Sequence, residues 1–244
     1  METAEGLRSP IATTRGSERL FFAWLSTAIL AVALLGFLRN YLLVPVMGLP
    51  DGLLPATVWV HVHAAIFFSW CLLLALQSWL VVWNRIASHR TLGLVGFYLF
   101  LGMVVTGPIV AVRSVVRQGR TSEELAFLAV SLGNVLAYTL ILAAAFHWRR
   151  SPAIHKRLIM IGMVALLTAP FGRVLDLPYQ LAHVVGPGCV VVAMGIWDLV
   201  ALRKLHAVTL YIGPVVLLWE LAPNVYMNSS WWLSFARWLT HVAT

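Results

Sequence analysis

Apolar residues run in long blocks along this chain, and polar residues gather in the short gaps between them. The blocks lie at approximately Leu20–Leu38, Val58–Trp83, Leu92–Val112, Leu125–Phe146, Leu158–Val174, Gly188–Leu202 and Val208–Ala222. The hydrocarbon core of a bilayer takes about 20 residues of helix, so each block predicts one membrane span, the fifth to seventh being short. A segment in lipid must satisfy its own backbone polar groups, which makes each span a helix. The stretch "SSWWLSFARWLTHVAT" carries Trp231, Trp232, Arg237 and Trp238 and predicts an interfacial helix after the last block. The expected fold is an all-α polytopic membrane bundle of about seven helices. It divides into a polar tail over residues 1–19, a transmembrane domain over 20–222 and an interfacial segment over 223–244.

Composition agrees with this pattern. The 244 residues are 61% hydrophobic and 11% charged, against about 25% charged for soluble domains. The first block ends in "FLRNY" without a small-residue cleavage site, so it reads as a retained span. A net charge of +8 could signal nucleic-acid binding. The basic residues sit at block ends, however, and form no single stripe or tail, which excludes that class. Six of the 17 lysines and arginines (Arg39, Arg113, Arg117, Arg120, Arg173 and Arg237) fall on the side opposite the N-terminus, and the rest share its side. That bias predicts a multi-pass protein of the inner (plasma) membrane, N-terminus cytoplasmic and C-terminus external. The exception is "RSVVRQGR", a basic cluster on the external side. Cys71 and Cys189 lie inside apolar blocks and read as buried thiols. Without a nucleophile elbow, a phosphate-binding loop or an HExxH motif, the common hydrolases and ATPases are excluded.

The polar residues inside the blocks carry the candidate chemistry. His63, Trp70, Gln77 and Asn84 are spaced by seven, which places them on one slowly drifting stripe of the second helix. Gln77 would strand an amide in lipid unless that stripe faced protein. His61 lies about 200° from His63 on a regular helix, so the two cannot aim at one partner. Ser131, Asn134 and Tyr138 share a face of the fourth helix, and Thr106 and Arg113 one of the third. "FGRVLD" predicts an Arg173–Asp176 ion pair, and "TSEE" a capping box opening the fourth helix. Sorted by side, one cluster holds His61, His63, Arg113, Arg173, Asp176, His183 and Glu220. The other holds Asn84, His89, Arg90, His155, Arg157, Asp198 and His206. The starts of the third, fifth and seventh helices echo one another in "SHRTLG", "IHKRLI" and "KLHAVTL".

"HVHAAIFFSW", "LQSWLV", "HRTLG" and "HKRLIM" together resemble a group of largely uncharacterised bacterial multi-pass membrane proteins, over roughly residues 30–210. More distantly, the pattern is similar to membrane haem-b proteins of the cytochrome b type, which hold haem between histidines near both membrane faces. That resemblance implies His63 and His183 as ligand candidates on the external side, and His89 and His155 on the internal side. The histidine spacing within a helix departs from those families, and His183 reads as part of a Pro/Gly-bounded loop, "DLPYQLAHVVGPG".

Three classes of function follow. One is a redox protein that binds haem b and exchanges electrons with a quinone, with Gln77, Arg90 and Asp198 as polar lining. The second is a proton-linked transporter using the histidines as carriers. The third is a non-catalytic assembly factor or subunit of a membrane complex, whose polar groups only lock the bundle. A metal centre on His61, His63, His183 and Asp176 is a further alternative. Imidazoles directed into a slot would favour the redox reading, and imidazoles spent on neighbouring carbonyls would count against it.

Overall fold

The computed structural model describes the backbone of residues 10–243 and the side chains of 16–243 apart from Tyr179, Gln180 and His183. Helix α1 (Pro10–Phe37) is prolonged by a π-helical turn (Leu38–Leu42) and a short helix (Val44–Met47). It is followed by α2 (Val58–Val82), α3 (Ile86–Arg117), α4 (Ser122–His147) and α5 (Pro152–Leu175). Helix α6 (Tyr179–Trp197) runs into a π-helical turn (Asp198–Leu202). A matching turn (Val208–Ile212) opens α7 (Gly213–Leu221), and Pro223–Tyr226 continues it. The chain closes on α8 (Ser230–Val242). No strand occurs among the described residues.

Seven of these stretches are long and apolar enough to cross a membrane, and the protein is a multi-pass membrane protein. Helices α1 to α5 form a closed ring, each touching the next and α5 returning to α1; α6 and α7 pack on the outer side of α5. Helix α5 is the centre: 61% of its apolar window is buried, against 28–50% for the others. Leu72, Val105, Leu140, Val192 and Leu218 point outward and supply the apolar surface that lipid requires. Two ends can be named. The proximal end holds the start of α1 and the α2–α3, α4–α5 and α6–α7 connections, and the distal end holds the others.

Local signals explain the helix limits. The Thr121 hydroxyl accepts from Glu124 N at 3.2 Å and starts α4. Only this half of the expected capping box forms, because Glu124 Oε2 accepts from the Gln118 amide. Pro108 and Pro170 lie inside α3 and α5, and Pro214 follows directly on the π-helical turn that opens α7, so it too sits within a continuing helix. The expected loop around His183 is instead the first part of α6, with Pro187 inside the helix. A proline mid-helix loses one backbone bond, and lipid-embedded helices tolerate this where neighbours satisfy the freed carbonyl. Helix α8 buries Trp232, Ala236 and Thr240 and exposes Trp231, Trp238 and Val242. The Trp232 indole donates to Leu125 O at 2.9 Å and fixes α8 against α4.

Candidate functional site: the proximal imidazoles

Three of the four residues on the α2 stripe turn into the bundle. His63 Nδ1 lies 2.9 Å from the Thr106 hydroxyl of α3. The Trp70 indole donates to Met163 Sδ of α5 at 2.9 Å. Gln77 Oε1 is sealed in the interior and meets no hydrogen-bond donor. Asn84 departs from the stripe: α2 has ended at Val82, and Asn84 lies exposed in the turn with φ 57°. Its short amide tolerates the left-handed conformation that reverses the chain into α3. His61 points elsewhere, its Nδ1 2.8 Å from the Tyr41 hydroxyl.

The connections at the proximal end bring the next histidines in. His89, in the first turn of α3, places Nδ1 3.2 Å from Gln77 O. His155, in the first turn of α5, places Nδ1 2.8 Å from Ala145 O. Each imidazole thereby ties the start of one helix to the last turns of the helix before it. The third member of the sequence echo does something different. His206 Nδ1 accepts from its own Val208 N at 3.2 Å and acts as a local cap.

These bonds settle the tautomers. A carbonyl oxygen can only accept, so His89 and His155 carry their proton on Nδ1. The Thr106 hydroxyl donates to Gly102 O at 2.7 Å and therefore accepts from His63, giving the same assignment. All three histidines keep a lone pair on Nε2, and that nitrogen bonds to no described residue. His89 and His155 are close enough to interact electrostatically, although α4 stands between their helices in the ring. The Gln77 amide lies beside Gly93, one turn further along α3 from His89. Two imidazole nitrogens and one amide oxygen, all acceptors, thus gather at the proximal ends of α2, α3 and α5.

A buried ionic group lies at the same end of the bundle. Arg157 Nη2 contacts Asp198 Oδ1 at 2.5 Å, with both side chains 1% exposed. Glu18 Oε1 takes Lys156 at 2.7 Å and Arg157 at 3.3 Å. The π-helical turn at Asp198 delivers that carboxylate inward, where its second oxygen accepts from His206 N at 3.1 Å. Phe22 lies under both cations. Sequence reasoning selected Arg157, Asp198 and His206 but missed Glu18, which the expected 1–19 tail boundary left out of the bundle.

Burial, followed by the nearby Arg157 charge, lowers the His206 pKa. Lys156 opposes the imidazolium as well, while Asp198 and Glu18 favour it. Folded His206 thus holds a proton less tightly than the unfolded chain does. Its contribution to stability is full above the unfolded value of about 6.5 and is lost as pH falls through the lowered folded value. The expected outcome is an unfolding temperature that declines below about pH 6.5, with His206→Gln flattening that part of the profile.

Other sequence-selected residues remain apart. Arg173 lies over the Phe37 ring at 4.7 Å and makes no ion pair with Asp176. Asp176 has left the helix, exposed at its C-cap in the left-handed region at φ 50°, which breaks the i, i+3 geometry. Arg90 is exposed and follows His89 in α3. Ser131 and Asn134 are half-buried and Tyr138 is buried in the core, so the expected α4 face is turned inward. Glu220 is fully buried and accepts from the Thr168 hydroxyl at 3.1 Å. His61, His63 and Asp176 are not brought together, and the side chain of His183 lies outside the described residues. No group of three His, Cys, Asp or Glu placed to hold a metal occurs among the described residues. Comparison with protein-family models, with curated proteins and with solved structures finds no match to this chain.

Proposed function

We propose that this chain is a membrane redox protein in which His89 and His155 would hold haem b at the proximal end, and which would exchange electrons with a membrane quinone. One observation carries the reading. Both histidines are bonded to neighbouring carbonyls, which by itself counts against the reading. What supports it is that each spends only Nδ1 in this way, that Nε2 bonds to no described residue, and that the two rings, borne by non-adjacent helices, interact electrostatically. A ligating imidazole ordinarily donates its other N–H to a backbone carbonyl, which fixes the ring and raises the basicity of the ligating nitrogen. The donor set therefore fits the group. Haem b, when bound, supplies reversible one-electron transfer.

The protein's own residues do the rest. Gln77 O and Ala145 O hold the two rings at fixed angles. Phe97, Phe100 and Phe146 pack together with centroids 5.3–6.1 Å apart, an aromatic cluster on the helices that carry His89 and the Ala145 carbonyl. Arg90 offers an exposed cation for an anionic edge. His63, with the same tautomer at the distal end, is the ligand candidate of a second site whose partner would be His183.

Hemin titration of the detergent-purified protein and its single variants tests this reading. His89→Ala and His155→Ala are each expected to lose the low-spin Soret band of the proximal site, while Phe127→Ala on the lipid-facing surface leaves it unchanged. A wild-type protein that takes up no hemin would overturn the reading and leave a non-catalytic subunit of a membrane complex in its place.

A further inference from the structure

The external-side basic cluster, "RSVVRQGR", stands against the charge bias of the rest of the chain, and the redox reading gives it no role. Arg113 and Arg117 lie one turn apart near the distal end of α3. With Thr57, Val116 and Ala243 they line a cavity of about 190 Å³. Neither guanidinium forms an ion pair with a described carboxylate. Glu123 and Glu124, the nearest acids along the chain, pair with neither guanidinium, and Glu124 is engaged by Gln118. Arg117 Nη2 donates to Pro55 O at 2.9 Å, which steadies its fork and leaves its other N–H groups available. The Thr57 oxygen accepts from Val60 N, so its O–H remains a donor.

The charged and hydroxyl groups on the wall thus offer hydrogens, and no acid among the described residues lines it. Arg113 stacks over Trp59 at 5.6 Å, and an indole beside an arginine at a span end marks headgroup depth. Val116 and Ala243 add an apolar edge beside the end of α8, whose Trp231 and Trp238 are exposed.

We infer that this cavity binds a phosphate oxyanion, held by Arg113, Arg117 and Thr57 at the distal membrane surface. Paired guanidinium forks match phosphate geometry, and a ligand that only accepts satisfies every donor on the wall. The favoured source is the headgroup of an anionic phospholipid, since the cavity opens where headgroups lie. This inference is independent of any haem.

The test compares thermal unfolding of the full chain in mixed micelles. Phosphatidylglycerol, phosphatidylcholine or inorganic phosphate is added to the wild type and to Arg113→Gln/Arg117→Gln. Both positions are exposed, so the variant keeps its fold, and unchanged helical circular dichroism verifies this. Phosphatidylglycerol is expected to raise the wild-type unfolding temperature well above the phosphatidylcholine control. The variant is expected to lose about tenfold or more in apparent affinity, as for one charge-assisted hydrogen bond removed. A saturable shift with inorganic phosphate alone, also lost in the variant, would retain the oxyanion site and assign it to free phosphate. Equal shifts with both lipids and none with phosphate, or shifts that survive in the variant, would overturn the inference.

Discussion

Replacing Arg157 by alanine is expected to destabilise the bundle by about 3–5 kcal/mol, the range for removing one partner of a buried ion pair. Arg157 is fully buried and meets Asp198 and Glu18 at once. Without it, Glu18 keeps Lys156 but buried Asp198 loses its cation. Membrane depth makes this worse, because an uncompensated charge there has no water to turn to. The Arg157→Met/Asp198→Leu double variant is expected to recover most of the loss, since it removes both charges and refills the volume. Unfolding by denaturant or heat in mixed micelles measures both. A loss below about 1 kcal/mol for Arg157→Ala, the size of an exposed pair, would show that the ion pair is solvated.

Gly36→Leu is expected to be comparably damaging for a steric reason. Gly36 faces the α1–α5 seam, where a β-carbon would sit 2.5 Å from Pro170 Cα and 2.6 Å from Pro170 O. Those are backbone atoms and cannot swing aside, so α1 must shift off the central helix. Even Gly36→Ala is expected to cost about 1–3 kcal/mol, the ordinary range for overpacking, and leucine more. Gly188→Ala serves as the control, because nothing lies within 4 Å of its would-be β-carbon. There alanine is expected to be neutral or mildly stabilising. Equal effects at the two positions would contradict the close α1–α5 packing.

The sequence showed the spans because lipid demands long apolar helices, and that demand is written in composition. It also showed that His61 and His63 part company, since a 200° turn allows nothing else. The inward turn of Gln77 followed from the cost of a stranded amide. Other features depended on partners far along the chain. That His89 and His155 come within electrostatic reach requires knowing that α3 and α5 stand either side of α4, which no local pattern specifies. The π-helical turns at Asp198 and Val208 are set by tertiary packing around Arg157. Glu18 was recoverable. The buried positions Phe22, Ser26, Ile29, Ala33 and Gly36 step along α1 by four, three, four and three, and one more step backward lands on Glu18. The Arg173–Asp176 pair failed because spacing argues for contact only while the helix continues, and it stops at Leu175.

The most direct test of the central claim is the absorption spectrum of the full-length protein, purified in detergent from a haem-replete host and recorded oxidised and after dithionite reduction. The proposal that His89 and His155, whose Nε2 atoms bond to no described residue, hold the group predicts a low-spin haem b spectrum, with a Soret band that shifts and α and β bands that sharpen on reduction. A protein that is colourless as isolated and stays so after incubation with hemin would contradict it.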